Sequence, residues 1–239
     1  MEWAADALVL HVRPHGETSA ILDVFTRDHG RYGGLVRGGA GRRLRPVLQA
    51  GNLVRARWRA RLSEHLGTMS VEAGESFAAQ AMTQADALAG LLSLCALLRG
   101  MPERNAYPRL YDTATALLAH LVAGDDWLGH LVRFELVLLE ESGFGLDLSH
   151  CAATGGTKDL AYVSPRSGRA VSRDAAKPYV AQLFALPDFL TRPDAPATRA
   201  DILNGLALTG HFLERRLYTP HNMAVPAART RLIERLARF

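Results

Sequence analysis

Residues 54–62 read Val-Arg-Ala-Arg-Trp-Arg-Ala-Arg-Leu, a strict alternation of apolar and basic side chains. Successive side chains of a β-strand point to opposite faces, so this alternation predicts a strand with one buried and one exposed face. The predicted core face consists of Val54, Ala56, Trp58, Ala60 and Leu62. The predicted exposed face consists of Arg55, Arg57, Arg59 and Arg61.

Four further runs of strand-forming residues surround this stretch. They cover residues 7–13, 19–26, 31–37 and 67–73, and the run that contains the alternation covers residues 52–62. Glycine-rich turns separate the runs, and Gly33-Gly34 marks a bulge or a tight corner. Five short strands predict a small closed barrel, and the five-stranded OB-fold fits that number. Periodicity does not separate the OB-fold from other small barrels. We therefore predict an OB-fold domain at residues 1–77.

The pattern changes to helical spacing after residue 77. Helices are predicted at residues 85–99, 107–122, 175–184, 199–217 and 227–237. A further helix is predicted between Asp126, its N-cap, and Gly143, where it ends. A stretch rich in glycine, serine and threonine at about 147–174 interrupts the helices, with a short strand-like piece at 160–163. The expected fold class is α+β: the barrel, followed by a mainly helical domain at 78–239 with a small irregular insert.

Composition excludes several classes of protein. The chain has 239 residues and two cysteines, too few for a disulfide framework or for a four-cysteine zinc site. No apolar stretch reaches the ~18 residues of a membrane span. The acidic opening Met-Glu-Trp-Ala-Ala-Asp lacks the features of a signal peptide. We expect a soluble, cytoplasmic protein.

Basic charge is concentrated near the predicted barrel strand. The formal net charge is only +4, yet residues 31–61 hold nine arginines and no acid. Arginines two positions apart on a strand lie ~6.6–6.8 Å apart, close to the phosphate repeat of an extended nucleic-acid strand. Guanidinium groups bind phosphate bidentately. The predicted nucleic-acid-binding residues are Arg31, Arg37, Arg42, Arg43, Arg45, Arg55, Arg57, Arg59 and Arg61.

The alternating arginines have one alternative interpretation, and the composition indicates how a nucleic acid would bind. An edge strand protected from aggregation by charge is the alternative interpretation of the alternating arginines. Aromatic stacking platforms are few, with Tyr32 the best candidate on the barrel. This favours binding through the phosphate backbone, with a steep salt dependence.

Signals for catalysis and metal binding are weak. The chain has no phosphate-binding loop of the Gly-x4-Gly-Lys-Ser/Thr type, and its nine histidines are scattered. Residues 31–61 contain no carboxylate cluster of the kind a nuclease needs. Cys151-Ala-Ala-Thr154-Gly-Gly has the turn chemistry of half a zinc knuckle but lacks the second cysteine. We predict no catalytic residue, no metal site and no cofactor.

Several fragments, in order, resemble the bacterial RecO family of recombination and repair proteins. They include residues 7–19 with Gly-Glu-Thr-Ser, 25–31, 35–40, 48–52, 133–139, 143–151, 208–215 and 226–229. The resemblance covers nearly the whole chain. It implies an N-terminal OB-fold, a helical domain and, in many members, a four-cysteine zinc module. This chain departs from the zinc pattern, because Thr154 stands at the second ligand position and residues 164–173 contain no cysteine.

The resemblance also implies a non-catalytic function in recombinational repair. Members bind single- and double-stranded DNA and anneal complementary strands. The implied partners are RecR, the single-strand binding protein SSB and, indirectly, RecA, whose loading the complex promotes. The implied location is the cytoplasm, with the nucleoid. Two rival classes stay open: an OB-fold RNA-binding factor and a nuclease.

Two further hypotheses concern the helical domain. Five arginines there are candidates to extend the DNA-binding track, with ordinary surface charge as the alternative: Arg166, Arg169, Arg173, Arg215 and Arg216. Arg133 and Phe134 are candidates to bind the acidic, aromatic C-terminal tail of SSB. The alternative for Arg133 is an ion pair on the helix surface with Glu141 or another acid.

Overall fold

A computed structural model describes residues 1–62, 64–192 and 194–238. The chain forms two compact units, Met1–Asp125 and Asp126–Phe239, and each is described by itself. The first unit contains a β-barrel and three helices. The second contains helices and a small three-stranded sheet.

The barrel has five strands. They are β1 (Glu2–His15), β2 (Ser19–Thr26), β3 (Gly30–Val36), β4 (Leu53–Arg59) and β5 (Thr68–Ala73). Their order around the closed barrel is β1-β2-β3-β5-β4, with antiparallel neighbours except for β3 and β5, which pair in parallel at Leu35 and Thr68. This is the five-stranded OB-fold that the sequence predicts.

Strand β4 lies inside the barrel wall rather than at an edge. It pairs with β1 on one side, where Ala5 faces Ala56, and with β5 on the other, where Val71 faces Ala56. The edge-strand interpretation of its arginines is therefore wrong. The predicted alternation is confirmed over the strand itself, since Val54, Ala56 and Trp58 are buried and the arginines between them are exposed.

The alternation ends sooner than predicted, because β4 stops at Arg59. Gly67 adopts a φ of +68° just before β5, where a Cβ would lie 2.6 Å from Nε1 of Trp58. The β4–β5 ladder ends at the Arg59–Thr68 pair. Arg61 lies outside the strand and Leu62 is 47% exposed, so the predicted positions of both on a strand are wrong.

Gly34 explains why β3 carries a glycine pair. A Cβ at this position would lie 2.8 Å from the Cβ of Met69 on β5. The register between β2 and β3 runs without a shift, so the pair does not mark a bulge in that ladder. Gly34 instead allows close packing across the barrel, where its neighbour is the buried Met69.

Three helices complete the first unit. They are α1 (Phe77–Ala81), α2 (Ala85–Leu98) and α3 (Pro108–Ala123), the last two close to their predicted bounds. Asn52 links the barrel to α1, because its side-chain oxygen accepts a hydrogen bond from the backbone N–H of Ala78. Its side-chain nitrogen donates to the carbonyls of Pro46 and Val47. The compact unit thus extends past residue 77, where the sequence pattern changes.

The second unit is built on three longer helices. They are α4 (Trp127–Glu141), α6 (Arg199–Phe212), which continues as a π-helical stretch at Leu213–Tyr218, and α7 (Ala227–Ala237). The insert contributes β6 (Leu160–Val163) and β7 (Ala170–Ser172), and β8 (Phe184–Ala185) completes the sheet in the order β7-β6-β8. Among the described residues, no helix is long and apolar enough to cross a membrane.

The helix predicted at 175–184 is wrong. The chain instead forms a single turn of helix, α5 (Arg173–Ala176), then a 3₁₀ stretch at Lys177–Gln182 and the strand β8. Pro178 cannot donate a helical hydrogen bond. Phe184 and Ala185 pair with Val163 and Tyr162 of β6, so the residues at the end of the predicted helix form a strand of the sheet instead.

Candidate nucleic-acid interface

The exposed face of β4 presents Arg55, Arg57 and Arg59 in a row. The neighbouring strands supply acids to this row that the run 31–61 itself lacks. Oδ1 of Asp6 lies 3.1 Å from Nη1 of Arg55. Oε1 of Glu2 lies 3.8 Å from Nη1 of Arg57. The face is therefore partly neutralised from β1, and Arg59 has no side-chain partner among the described residues.

The basic segment at 37–48 forms a series of hydrogen-bonded turns. Its turns are closed by backbone hydrogen bonds, including Arg45 N–H to Gly41 O at 3.1 Å and Leu48 N–H to Leu44 O at 2.9 Å. Leu44 and Val47 pack against the barrel core. These turns hold four exposed side chains for which the described part of the chain shows no side-chain partner: Arg37, Arg42, Arg43 and Arg45.

The basic segment and the exposed face of β4 line an open cavity of about 670 Å³, here called the basic cavity. Arg37 and Arg43 line it from the segment, and Arg57 and Arg59 line it from β4. Its remaining lining is apolar or hydroxyl-bearing apart from one acid: Glu2, Leu35, Val36, Leu44, Thr68, Met69, Ser70 and Val71. Four guanidinium groups facing one carboxylate leave an excess of positive charge, which favours an anionic ligand.

A second cavity of about 480 Å³ continues along the same strands. It is lined by Ala4, Arg55, Ala56, Arg57, Ser70 and Glu72. Arg57 and Ser70 line both cavities, so the two adjoin along β4 and β5, and Glu72 faces Arg55 in the second. A surface with two adjoining cavities suits an extended chain of phosphates better than a single small anion.

Arg31 does not belong to this surface. Its Nε donates to Oδ1 of Asp23 at 3.2 Å, and its Nη2 donates to Oε1 of Glu103 at 3.0 Å. Its Nη1 donates to the carbonyls of Arg99 and Met101. Burial raises the pKa of Asp23, and the Arg31 guanidinium opposes that shift. The donors of Arg31 already bind groups of the protein, so its predicted contact with DNA stays a prediction and Arg31 is not part of this surface.

The aromatic side chains near the barrel stack on one another. The Tyr32 ring meets Trp58 edge-on with centroids 5.1 Å apart, and the Arg104 guanidinium lies 5.6 Å from its centroid. The Trp3 ring stacks on His29 at 4.8 Å. Tyr32 therefore packs against other aromatic rings and Arg104 rather than forming a free stacking platform.

The five arginines proposed to extend the track lie in the second unit and differ in their surroundings. Arg169 pairs with Asp147 at 3.4 Å, and Arg173 pairs with Asp159 at 3.3 Å. Arg216 lies over the Phe212 ring and donates to the carbonyl of Arg166. The exposed side chains without a partner among the described residues are Arg166 and Arg215.

The pair proposed to bind the SSB tail is not available as predicted. Phe134 is fully buried in the face of α4 that packs into the unit. Nη2 of Arg133 donates to the carbonyl of Phe189 at 2.9 Å, and its guanidinium lies 5.3 Å from that ring's centroid. The Phe134 part of this hypothesis is wrong, because the helical spacing places it beside Leu131 and Leu138 in the core.

The region that resembles a zinc module is held together by hydrogen bonds. The buried Sγ of Cys151 accepts the backbone N–H of Ser172 at 3.3 Å and lies 3.4 Å from its Oγ. Hydrogen bonds from Ser172 and Thr154 lower the pKa of Cys151 to about 6. One thiolate with two hydroxyls does not fit a structural zinc site, which takes four Cys or His ligands. No group of three or more metal-ligating side chains occurs within residues 1–62, 64–192 and 194–238.

Fold and surface together define a class: an OB-fold barrel with an arginine-lined outer face, followed by a helical region. The sequence model of the N-terminal domain of recombination protein O matches residues 1–77, and that of its C-terminal domain matches residues 82–223. The chain belongs to the RecO family.

Relatives support the same assignment over nearly the full length. The DNA repair protein RecO of Rhodospirillum centenum is 51% identical, over 98% of this chain and 94% of the relative. That of Mesorhizobium japonicum is 52% identical, over 96% and 91%. That of Rhodospirillum rubrum is 46% identical, over 100% and 98%.

Proposed function

We propose that this protein acts in recombinational DNA repair by binding DNA along the basic cavity and its continuation on β4. The observation that carries the proposal is the convergence of Arg37, Arg43, Arg57 and Arg59 on one cavity. Three of these have no acidic partner among the described residues. Family membership supports the repair role, and relatives carry the name DNA repair protein RecO.

The proposed mode of action is non-catalytic annealing. Guanidinium groups neutralise phosphates, which lowers the repulsion between two complementary strands held on the protein. The proposed surface comprises Arg37, Arg42, Arg43, Arg45, Arg55, Arg57, Arg59 and Arg61. Arg166 and Arg215 stay candidates for additional phosphate contacts. We place the activity in the cytoplasm, at the nucleoid.

We further propose the partners that the family resemblance implies. These are RecR, SSB through its C-terminal tail and, indirectly, RecA, which the protein helps to load on SSB-coated DNA. No residue is assigned to RecR. None is assigned to the SSB tail, because the candidate Phe134 is buried.

The test is an annealing assay on complementary strands, bare and coated with SSB. The test variant replaces Arg37, Arg43 and Arg59 with Gln, and the matched control replaces Arg13, Arg231 and Arg238 with Gln. All six side chains are exposed and unpaired among the described residues, so both variants lose three unpaired charges. We expect the test variant to anneal at least about tenfold more slowly near physiological salt. Equal loss in both variants would show that net charge, not this surface, determines annealing.

The rival classes are tested with the same protein. Competition by RNA of equal length against single-stranded DNA separates a DNA-binding from an RNA-binding function. Incubation of labelled DNA with Mg²⁺ tests the nuclease alternative, since cleavage that survives purification and heat controls would contradict a non-catalytic mode.

A further inference from the structure

We infer that the basic cavity is a subsite for unstacked nucleotides, with their bases on its apolar floor and their phosphates on its arginine rim. The inference rests on the proposed function and deepens it. It states that the surface contacts bases as well as backbone, and that a single strand is therefore held differently from a duplex.

The rim accounts for the phosphates. Arg37 and Arg43 lie on one side of the cavity and Arg57 and Arg59 on the other, so a strand between them meets guanidinium groups from both sides. Glu2 is the one acid in the lining, and its carboxylate lies 3.8 Å from Arg57. Mutual repulsion among the remaining cations is relieved when an anion binds between them.

The apolar floor of the cavity favours a ligand that has an apolar part as well as a phosphate. It contains the partly buried Leu35, Leu44 and Val71, and Val36 and Met69 lie behind them in the barrel core. A phosphate gains nothing from apolar contact, whereas the face of a nucleobase does. The hydroxyls of Thr68 and Ser70 can donate to or accept from base edges without a strong sequence preference.

The size of the cavity agrees with this ligand. A volume of about 670 Å³ is within the ~300–1,000 Å³ range of sites that enclose small organic ligands. A paired duplex keeps its bases inside and offers such a cavity only its backbone. Only an unpaired strand can place a base on the floor while its phosphates stay on the rim. The adjoining cavity past Arg57 and Ser70 gives the strand a path outward.

The test compares two single strands of equal charge. One is an oligodeoxythymidine of about ten nucleotides, and the other has the same sugar-phosphate backbone with every base removed. We expect the wild-type protein to bind the intact strand about tenfold more tightly than the abasic strand at equal salt.

A cavity-filling variant assigns that preference to the cavity. Ser70→Ile adds bulk at an exposed β5 position without changing charge, and Ser19→Ile makes the same substitution at a half-buried β2 position outside the cavity lining. We expect the intact-to-abasic affinity ratio to fall to within about twofold in Ser70→Ile and to stay near tenfold in Ser19→Ile. Thermal unfolding of both variants is measured first, so that only folded proteins are compared.

Each outcome is decisive. Equal affinity of the wild-type protein for the two strands would overturn the subsite and leave the proposed backbone binding intact. A ratio near tenfold in Ser70→Ile would place the base contacts elsewhere and overturn the assignment. Failure of the wild-type protein to bind either strand would instead contradict the proposed function itself.

Discussion

The guanidinium of Arg57 lies 3.8 Å from the carboxylate of Glu2, which reaches it diagonally from the neighbouring strand β1. Both side chains are exposed, so the pair contributes little to stability. Its consequence is electrostatic, because Glu2 is the one acid in the lining of the basic cavity. In the proposed function, a DNA phosphate at this site would compete with Glu2 for Arg57.

Removal of that competition is expected to strengthen binding. Glu2→Gln should raise the affinity for single-stranded DNA about two- to fivefold at low salt, since an acid near the phosphate site repels it. The control is Glu17→Gln, an exposed glutamate in a turn with the same change in net charge. A fluorescence-anisotropy titration measures both. An equal gain in the two variants would mean that Glu2 acts only through net charge.

The second unit depends on a buried ion pair. Nε of Arg229 on α7 lies 2.7 Å from Oε1 of Glu135 on α4, and both side chains are almost fully buried. Arg229→Met should lower the free energy of unfolding by about 3–5 kcal/mol, because it leaves the Glu135 carboxylate buried without its partner. Denaturant unfolding measures the loss. The double variant Arg229→Met, Glu135→Leu should recover much of it, and a double variant as unstable as the single one would contradict this explanation.

Asn52 is expected to hold the basic segment in place. Its side chain makes three hydrogen bonds, two to carbonyls at 46 and 47 and one to the start of α1. Asn52→Ala should cost about 2–4 kcal/mol, because these buried groups lose their partner. Hydrogen exchange should show faster exchange at Leu48, whose N–H closes a turn of the segment. Unchanged exchange there would show that the barrel core alone orders the segment.

The Cys151 thiol gives the second unit a pH-dependent contribution to stability. Hydrogen bonds from Ser172 and Thr154 lower its pKa from the ordinary 9.0 to about 6 in the folded protein. The contribution is therefore fully present above pH 9 and is lost as the pH falls through 6. The difference in unfolding free energy between the wild-type protein and Cys151→Ser should be larger at pH 8 than at pH 5.5. A difference that does not change with pH would mean that the thiol stays protonated.

The sequence predicted the barrel well because its signals are local. Alternation over 54–59 required only that one strand face be buried, and the five strands and their turns lie within one continuous stretch. The acids opposite the arginines were not predictable in this way. Glu2 and Asp6 reach β4 only through the register of β1, about fifty residues earlier in the chain.

The errors in the helical region have similar causes. The 175–184 stretch has helix-forming residues, but pairing of Phe184 with β6 is a long-range contact that overrides local propensity. The burial of Phe134 was foreseeable, because Leu131 and Leu138 mark the same helix face. Glu135 on that face is a charged residue among apolar ones, and its partner Arg229 is 94 positions away.

In the proposed function, the unpaired arginines around the basic cavity bind the phosphates of DNA. The most direct measurement is the salt dependence of single-stranded DNA affinity in the wild-type protein, the Arg37/Arg43/Arg59→Gln variant and the Arg13/Arg231/Arg238→Gln control. Each phosphate contact contributes about 0.7 to the slope of log K against log salt for a single strand. The slope is negative, and we predict that its magnitude decreases by about 2 in the cavity variant and by less than 0.7 in the control. An unchanged slope in the cavity variant, or an equal fall in both, would contradict the claim.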